Sequence, residues 1–180
     1  MNIRAGKLKK IWRALKREEG NATIEFVILF PAVMTLFLSS FEVSVLLLRS
    51  VLLEKSLDTT VREMRLGVVD PQTQAELKRI LCARAPILPE CSETMKVELV
   101  VVPTSSWNLP DGRIKCVDTA ASINPAVTAN FGTANDLMVV RACAKVDPFF
   151  ATTPWVMDLL PLDTTGQYAV VASSTFVNEP

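Results

Sequence analysis

The sequence predicts an α+β protein: a long N-terminal helix, transmembrane in its first half, that extends into a small exported domain built on an antiparallel sheet. Three observations predict it. An apolar stretch from Ile24 to Leu48 follows a basic head. Apolar residues at helical spacing continue beyond that stretch to Met64, and strand-like runs recur only after residue 94. The chain divides accordingly into a basic cytoplasmic leader at residues 1–20, a long helix at 21–66 and an exported α+β domain at 67–180.

Charge is sorted along the chain, although the 19 basic and 19 acidic residues cancel overall. Residues 1–20 hold seven Lys/Arg against two Glu, whereas residues 67–180 hold eight against twelve acidic side chains. Positive flanks stay in the cytoplasm, so this order directs the C-terminal body outward. Lipid headgroups are the natural neighbours of the leader. The acidic body offers no basic stripe for phosphates, which argues against nucleic acid.

Twenty-five helical residues from Ile24 to Leu48 span roughly 37 Å, enough to cross a hydrocarbon core. The run is too long for a cleaved secretory signal. A helical pattern begun inside it continues past it: Val43, Leu46, Leu47, Leu53, Leu57, Val61 and Met64 recur at three- or four-residue spacing, with Asp58 and Arg62 placed to pair. No proline interrupts residues 32–66, and Gly67 is the expected C-terminal stop. The first half is therefore lipid-embedded, and the second packs on the body.

The four cysteines, Cys82, Cys91, Cys116 and Cys143, all follow the apolar stretch. An even number on the exported side points to an oxidising compartment and two disulfides. Three pairings exist. The favoured one joins Cys82 to Cys91 around Pro86 and Pro89, and Cys116 to Cys143; free buried thiols are the alternative. No C-x-x-C occurs, so a metal site has little support. The chain has no histidine, which removes the usual general base and the commonest metal ligand. No phosphate-binding loop is present either. No catalytic, cofactor or metal site is legible.

In the body, Asp70-Pro71 reads as an N-cap and first-turn proline of a helix over Pro71–Arg84 that buries Leu77, Ile80 and Leu81. Met95–Val102, Leu137–Val146 and Gln167–Val177 read as strands, and Asp111-Gly112 is a turn leading to a short strand at Ile114–Val117. Loops are expected over 103–136, with one short helix near Ser122–Ala129. A second amphipathic helix is expected over Pro154–Pro161. Trp107, Phe149, Phe150 and Trp155 form either a satellite core or a contact surface.

The most specific text is G-N-A-T-I-E-F-V-I-L-F-P, from Gly20 to Pro31. On Gly20, Ile24, Glu25, Phe26 and Pro31 the chain resembles the TadE-like pseudopilins of the tight-adherence (Flp-type) pilus system. The Tyr168–Phe176 strand with Asn178-Glu179-Pro180 resembles that family's usual ending. The resemblance implies a pilin-like fold and cleavage by a prepilin peptidase between Gly20 and Asn21. It implies assembly through Glu25, Phe26 and Pro31, in a minor pilin that is not an enzyme. Implied partners are the peptidase, the major pilin, sister pseudopilins and the inner-membrane assembly platform. The implied location is the bacterial inner membrane, N-terminus cytoplasmic and body periplasmic, with exposure on a pilus or a role in cell adhesion as extensions of that placement.

Physical chemistry gives Glu25 a reason of its own. A carboxylate near lipid is costly without a partner, and a newly exposed α-amine is a cation near neutral pH. The plainer reading is a charge at the cytoplasmic interface that favours the helix start. Glu42 lies either at the outer headgroups or against a cation on a partner helix. Pro31 should loosen the helix. The competing reading of the whole chain is an unprocessed, signal-anchored envelope protein with an exported binding domain. A membrane-tethered enzyme is the third, and lacks an acid–base pair.

Overall fold

The computed structural model describes residues 21–110, 114, 116–117, 129–150 and 166–179. Its elements are α1 (Asn21–Arg65), α2 (Gln74–Arg84), α3 (Cys91–Thr94), β1 (Met95–Val102), β2 (Leu137–Val146) and β3 (Tyr168–Val177). The fold class is as expected: a long apolar helix followed by a three-stranded antiparallel sheet. The chain divides between Phe41 and Glu42 into two units.

The first unit contributes the apolar part of α1. Among the described residues, α1 is the helix long and apolar enough to cross a membrane. From Ile24 to Phe37 its large side chains are exposed, as suits a surface meant for lipid. Its hydroxyls stay satisfied on their own helix: Thr35 donates to the Ala32 carbonyl and Ser39 to that of Thr35, at 2.9 and 2.7 Å. The helix runs through Pro31 without a break.

The second unit begins at Glu42. Here Leu53, Leu57 and Val61 of α1 are buried against the sheet, with Leu46 and Met64 packed beside them. Val43 and Leu47, expected on the same stripe, remain on the exposed side. Gly67 ends the helix at φ 65°. Its N–H donates to Met64 and that of Val68 to Glu63, the paired bonds of a Schellman stop.

The sheet order is β1-β2-β3, with β2 in the centre. One face carries Met95, Val97, Leu99, Met138, Val140, Ala142, Ala144, Val170, Ala172 and Phe176 into the core with α1 and α2. The side chains are small in the middle of β2, where Ala142 stands opposite Val97 and Ala172. On the other face Arg141 donates from Nε to its cross-strand partner Glu98 at 2.7 Å. β1 and β2 have the expected bounds, and β3 starts one residue later, at Tyr168.

Two expectations are corrected. The second helix starts at Gln74, not Pro71, because the Thr73 hydroxyl caps the Glu76 N–H and Glu76 reaches back to the Gln72 N–H. That reciprocal pair satisfies orphan donors that Asp70-Pro71 would leave open. Leu77 and Leu81 are buried as expected, whereas Ile80 is only half-buried. Ile114, Cys116 and Val117 are not in a strand, although Ile114 is buried. The helices expected near Ser122–Ala129 and over Pro154–Pro161, with Trp155, fall essentially outside the described residues; Ala129, which is described, forms a parallel bridge with Leu99.

Both cystines of the favoured pairing are present. Cys82–Cys91 ties α2 to α3 around the proline-rich turn, and Cys116–Cys143 ties the long β1–β2 connection to the central strand.

Candidate functional site

Two clusters on α1 carry charge where apolar sequence surrounds it. The first is at the helix start. Gly20 lies outside the described residues, and Asn21 is the first described residue of α1. Glu25 is exposed one turn on, and among the described residues it pairs with no cation. Phe26 is exposed too and stacks at 5.1 Å on Phe30, one turn later. Pro31 follows on the same exposed surface. The arrangement exposes a carboxylate and an aromatic pair on the described surface of α1.

The second cluster is built around Glu42, which is 1% exposed. Its carboxylate accepts two backbone N–H groups, from Phe149 at 2.9 Å and Phe150 at 2.8 Å. Two turns along, Arg49 donates to the Asp147 carbonyl at 3.1 Å, and the Asp147 carboxylate accepts from Gln167 at 2.9 Å. The Asp147–Phe150 loop that follows β2 is thus strapped along α1 at two points. Glu42 is therefore neither a headgroup-facing charge nor the partner of a cation on another helix. Its donors are amides 107 and 108 residues away, which no local pattern announces. The one available sign was that a carboxylate in an apolar setting needs donors.

Tyr168 lies at the same end of the sheet, 2% exposed, and its hydroxyl has no hydrogen-bond partner among the described residues. Burial pushes its phenol above the ordinary value of 10.0, and the nearby Glu42 carboxylate adds to the shift. The folded state therefore holds this proton more tightly than the unfolded chain. The contribution is full below pH 10 and is lost as the pH rises through the folded value. Tyr168→Phe is expected to leave stability at pH 7 unchanged or higher by about 1 kcal/mol, since an unpaired buried hydroxyl goes. It is also expected to flatten the alkaline loss seen in the parent. Denaturation midpoints at pH 7 and pH 11 check both outcomes.

The aromatic residues divide. Trp107 and Phe149 are 63% and 59% exposed, which corrects the satellite-core reading for them, while Phe150 is half-buried and meets Phe149 edge-on. The opposite sheet face bears a concavity of about 410 Å³ between Leu109, Pro110, Val139, Arg141 and Ser173–Thr175. Its one charged side chain, Arg141, is engaged by Glu98. Among the described residues, no cluster of three His, Cys, Asp or Glu side chains is placed to hold a metal.

These features define a class: a chain with one membrane-length helix among the described residues, compatible with single-pass anchoring, whose distal half is the spine of a small disulfide-tied α+β body. The family model described as TadE-like protein matches residues 20–62, the segment from the candidate cleavage glycine to the last turns of α1. Residues 20–62 are thus TadE-like, in agreement with the resemblance carried by Gly20, Ile24, Glu25, Phe26 and Pro31. No curated protein and no solved structure matches the chain.

Proposed function

We propose that this chain is a minor pilin, or pseudopilin, that acts in assembling a tight-adherence pilus. A prepilin peptidase cleaves it between Gly20 and Asn21. The observation that carries the reading is the match to the TadE-like model, which begins at Gly20 itself and follows α1 to residue 62. The exposed Glu25 and Phe26 on the first described turns of α1 support it.

The chemistry is one of charge neutralisation. Cleavage creates an α-amine at Asn21, cationic near neutral pH. Glu25 on one subunit neutralises the amine of a neighbour as helices bundle, which removes the cost of holding a carboxylate beside lipid. Phe26 and Pro31 shape the bundling surface. The partners are the peptidase, the major pilin, sister pseudopilins and the inner-membrane platform. The leader faces the cytoplasm and the body faces the periplasm, where the two cystines are stable.

The test is the N-terminal sequence and intact mass of the membrane-extracted protein, with and without the peptidase. An N-terminus at Asn21 that depends on the peptidase is expected. Met1 in both strains would sink processing and leave a signal-anchored binding protein. Glu25→Ala is expected to be cleaved normally yet to fall at least tenfold in recovery with the pilus machinery. Equal incorporation would remove the assembly role.

A further inference from the structure

We propose that the Asp147–Phe150 loop is a lipid-interface anchor, seating the aromatic ring of Phe149 in the headgroup layer of the leaflet on the body's side of the membrane. The proposal rests on the reading of α1 as a membrane anchor.

Depth along α1 supplies the argument. The 18 residues from Ile24 to Phe41 rise about 27 Å, close to the roughly 30 Å of a hydrocarbon core. Glu42 comes next, and Arg49 is the first basic residue beyond it. The seven-residue step between them rises about 10 Å. That is comparable to the headgroup layer, roughly 5–8 Å on each side of the core. In this step the large exposed side chains of α1 are apolar, with Val43, Leu47 and Leu48 at 38%, 60% and 48%, and Ser44 is exposed beside them.

The loop is strapped across this same step. Its Phe149 and Phe150 amides are held by Glu42, at the lipid end, and its Asp147 carbonyl by Arg49, at the water end. The loop is graded in the same sense. The Asp147 carboxylate, bonded to Gln167, sits at the water end, and the two phenylalanines sit at the lipid end. Phe149 is 59% exposed while its backbone is fixed, so the ring is presented at a set depth. Aromatic rings favour this layer, and burying the Glu42 charge against amides removes the group that would otherwise resist it. The exposed Phe149 thus belongs to a loop held on the Glu42–Arg49 step of α1, whose large exposed side chains are apolar, and the fitting partner is lipid.

The test uses the full chain in bilayer nanodiscs. Trifluoromethyl-phenylalanine is placed singly at Phe149, at Phe37 in the apolar run or at Trp107 in the loop after β1. Fluorine relaxation is read with a lipid spin-labelled near the top of its acyl chain, and separately with a water-soluble gadolinium chelate. The lipid label is expected to relax position 149 at least threefold more than position 107, with position 37 also affected. If 37 responds and 149 behaves like 107, anchoring stands and the loop proposal falls. If 149 is shielded from both agents, protein covers the ring and the lipid assignment is overturned. If 37 is untouched by lipid, the anchor reading fails and takes this proposal with it.

Discussion

Replacing Glu42 with alanine is expected to destabilise the C-terminal body by about 3 kcal/mol. Hydrogen bonds to a charged acceptor contribute roughly 1.5–3 kcal/mol each, and Glu42 accepts two of them, from Phe149 and Phe150. The loss falls below the sum because the loop can open and rehydrate its amides once the carboxylate is gone. Glu42→Gln keeps the shape and one acceptor, but turns an NH2 toward the second amide, so about half the loss is expected. Urea denaturation of the full-length protein in detergent, followed by tryptophan fluorescence, reads both. An unchanged midpoint for the alanine variant would show that the strap carries no energy. The buried carboxylate is tolerated because its lone pairs meet amide donors, the condition under which removing one member of a buried pair costs most.

Loss of the Cys116–Cys143 bridge is expected to cost about 3–4 kcal/mol, and loss of Cys82–Cys91 rather less, near 2–3 kcal/mol. The difference follows from the loops they close, with sequence separations of 27 and 9, since a longer closed loop restricts the unfolded chain more. Alanine is the right replacement at position 143, which is 0% exposed, because a serine there would bury an extra hydroxyl. Paired Cys→Ala variants, unfolded with and without reductant, measure each contribution. Coincident curves for oxidised parent and double variant would overturn the estimate. Reduction of both bridges should exceed what a body of this size can lose, so protein kept in a reducing compartment is expected to fail to hold its fold.

The TadE-like segment was legible because its signals are local. Gly20, Glu25, Phe26 and Pro31 lie within twelve residues, and the match at residues 20–62 covers the same stretch. The Gly67 stop and the bounds of β1 and β2 were legible for a related reason: a left-handed turn residue and a β-branched run ending at Pro103 act through their own backbone. The start of α2 was misplaced because two local signals competed. Asp70-Pro71 is a respectable helix opening, but Thr73 with Glu76 closes a reciprocal cap three residues later, and two satisfied donors outweigh one.

The sequence by itself determined a membrane-length helix, its amphipathic continuation, three strands and the number of cystines. Each of these depends on spacing, composition or the chemistry of neighbouring residues. Only the tertiary structure decided what Glu42 does, that Val43 and Leu47 leave the packed stripe while Leu53, Leu57 and Val61 hold it, and that Phe149 stands exposed while its amide is held by Glu42. Those outcomes depend on which donors and surfaces arrive from more than a hundred residues away once β2 and β3 are paired. A carboxylate reads alike in sequence whether water, a cation or two amides will meet it. The difference is made when the loop after β2 is laid along α1.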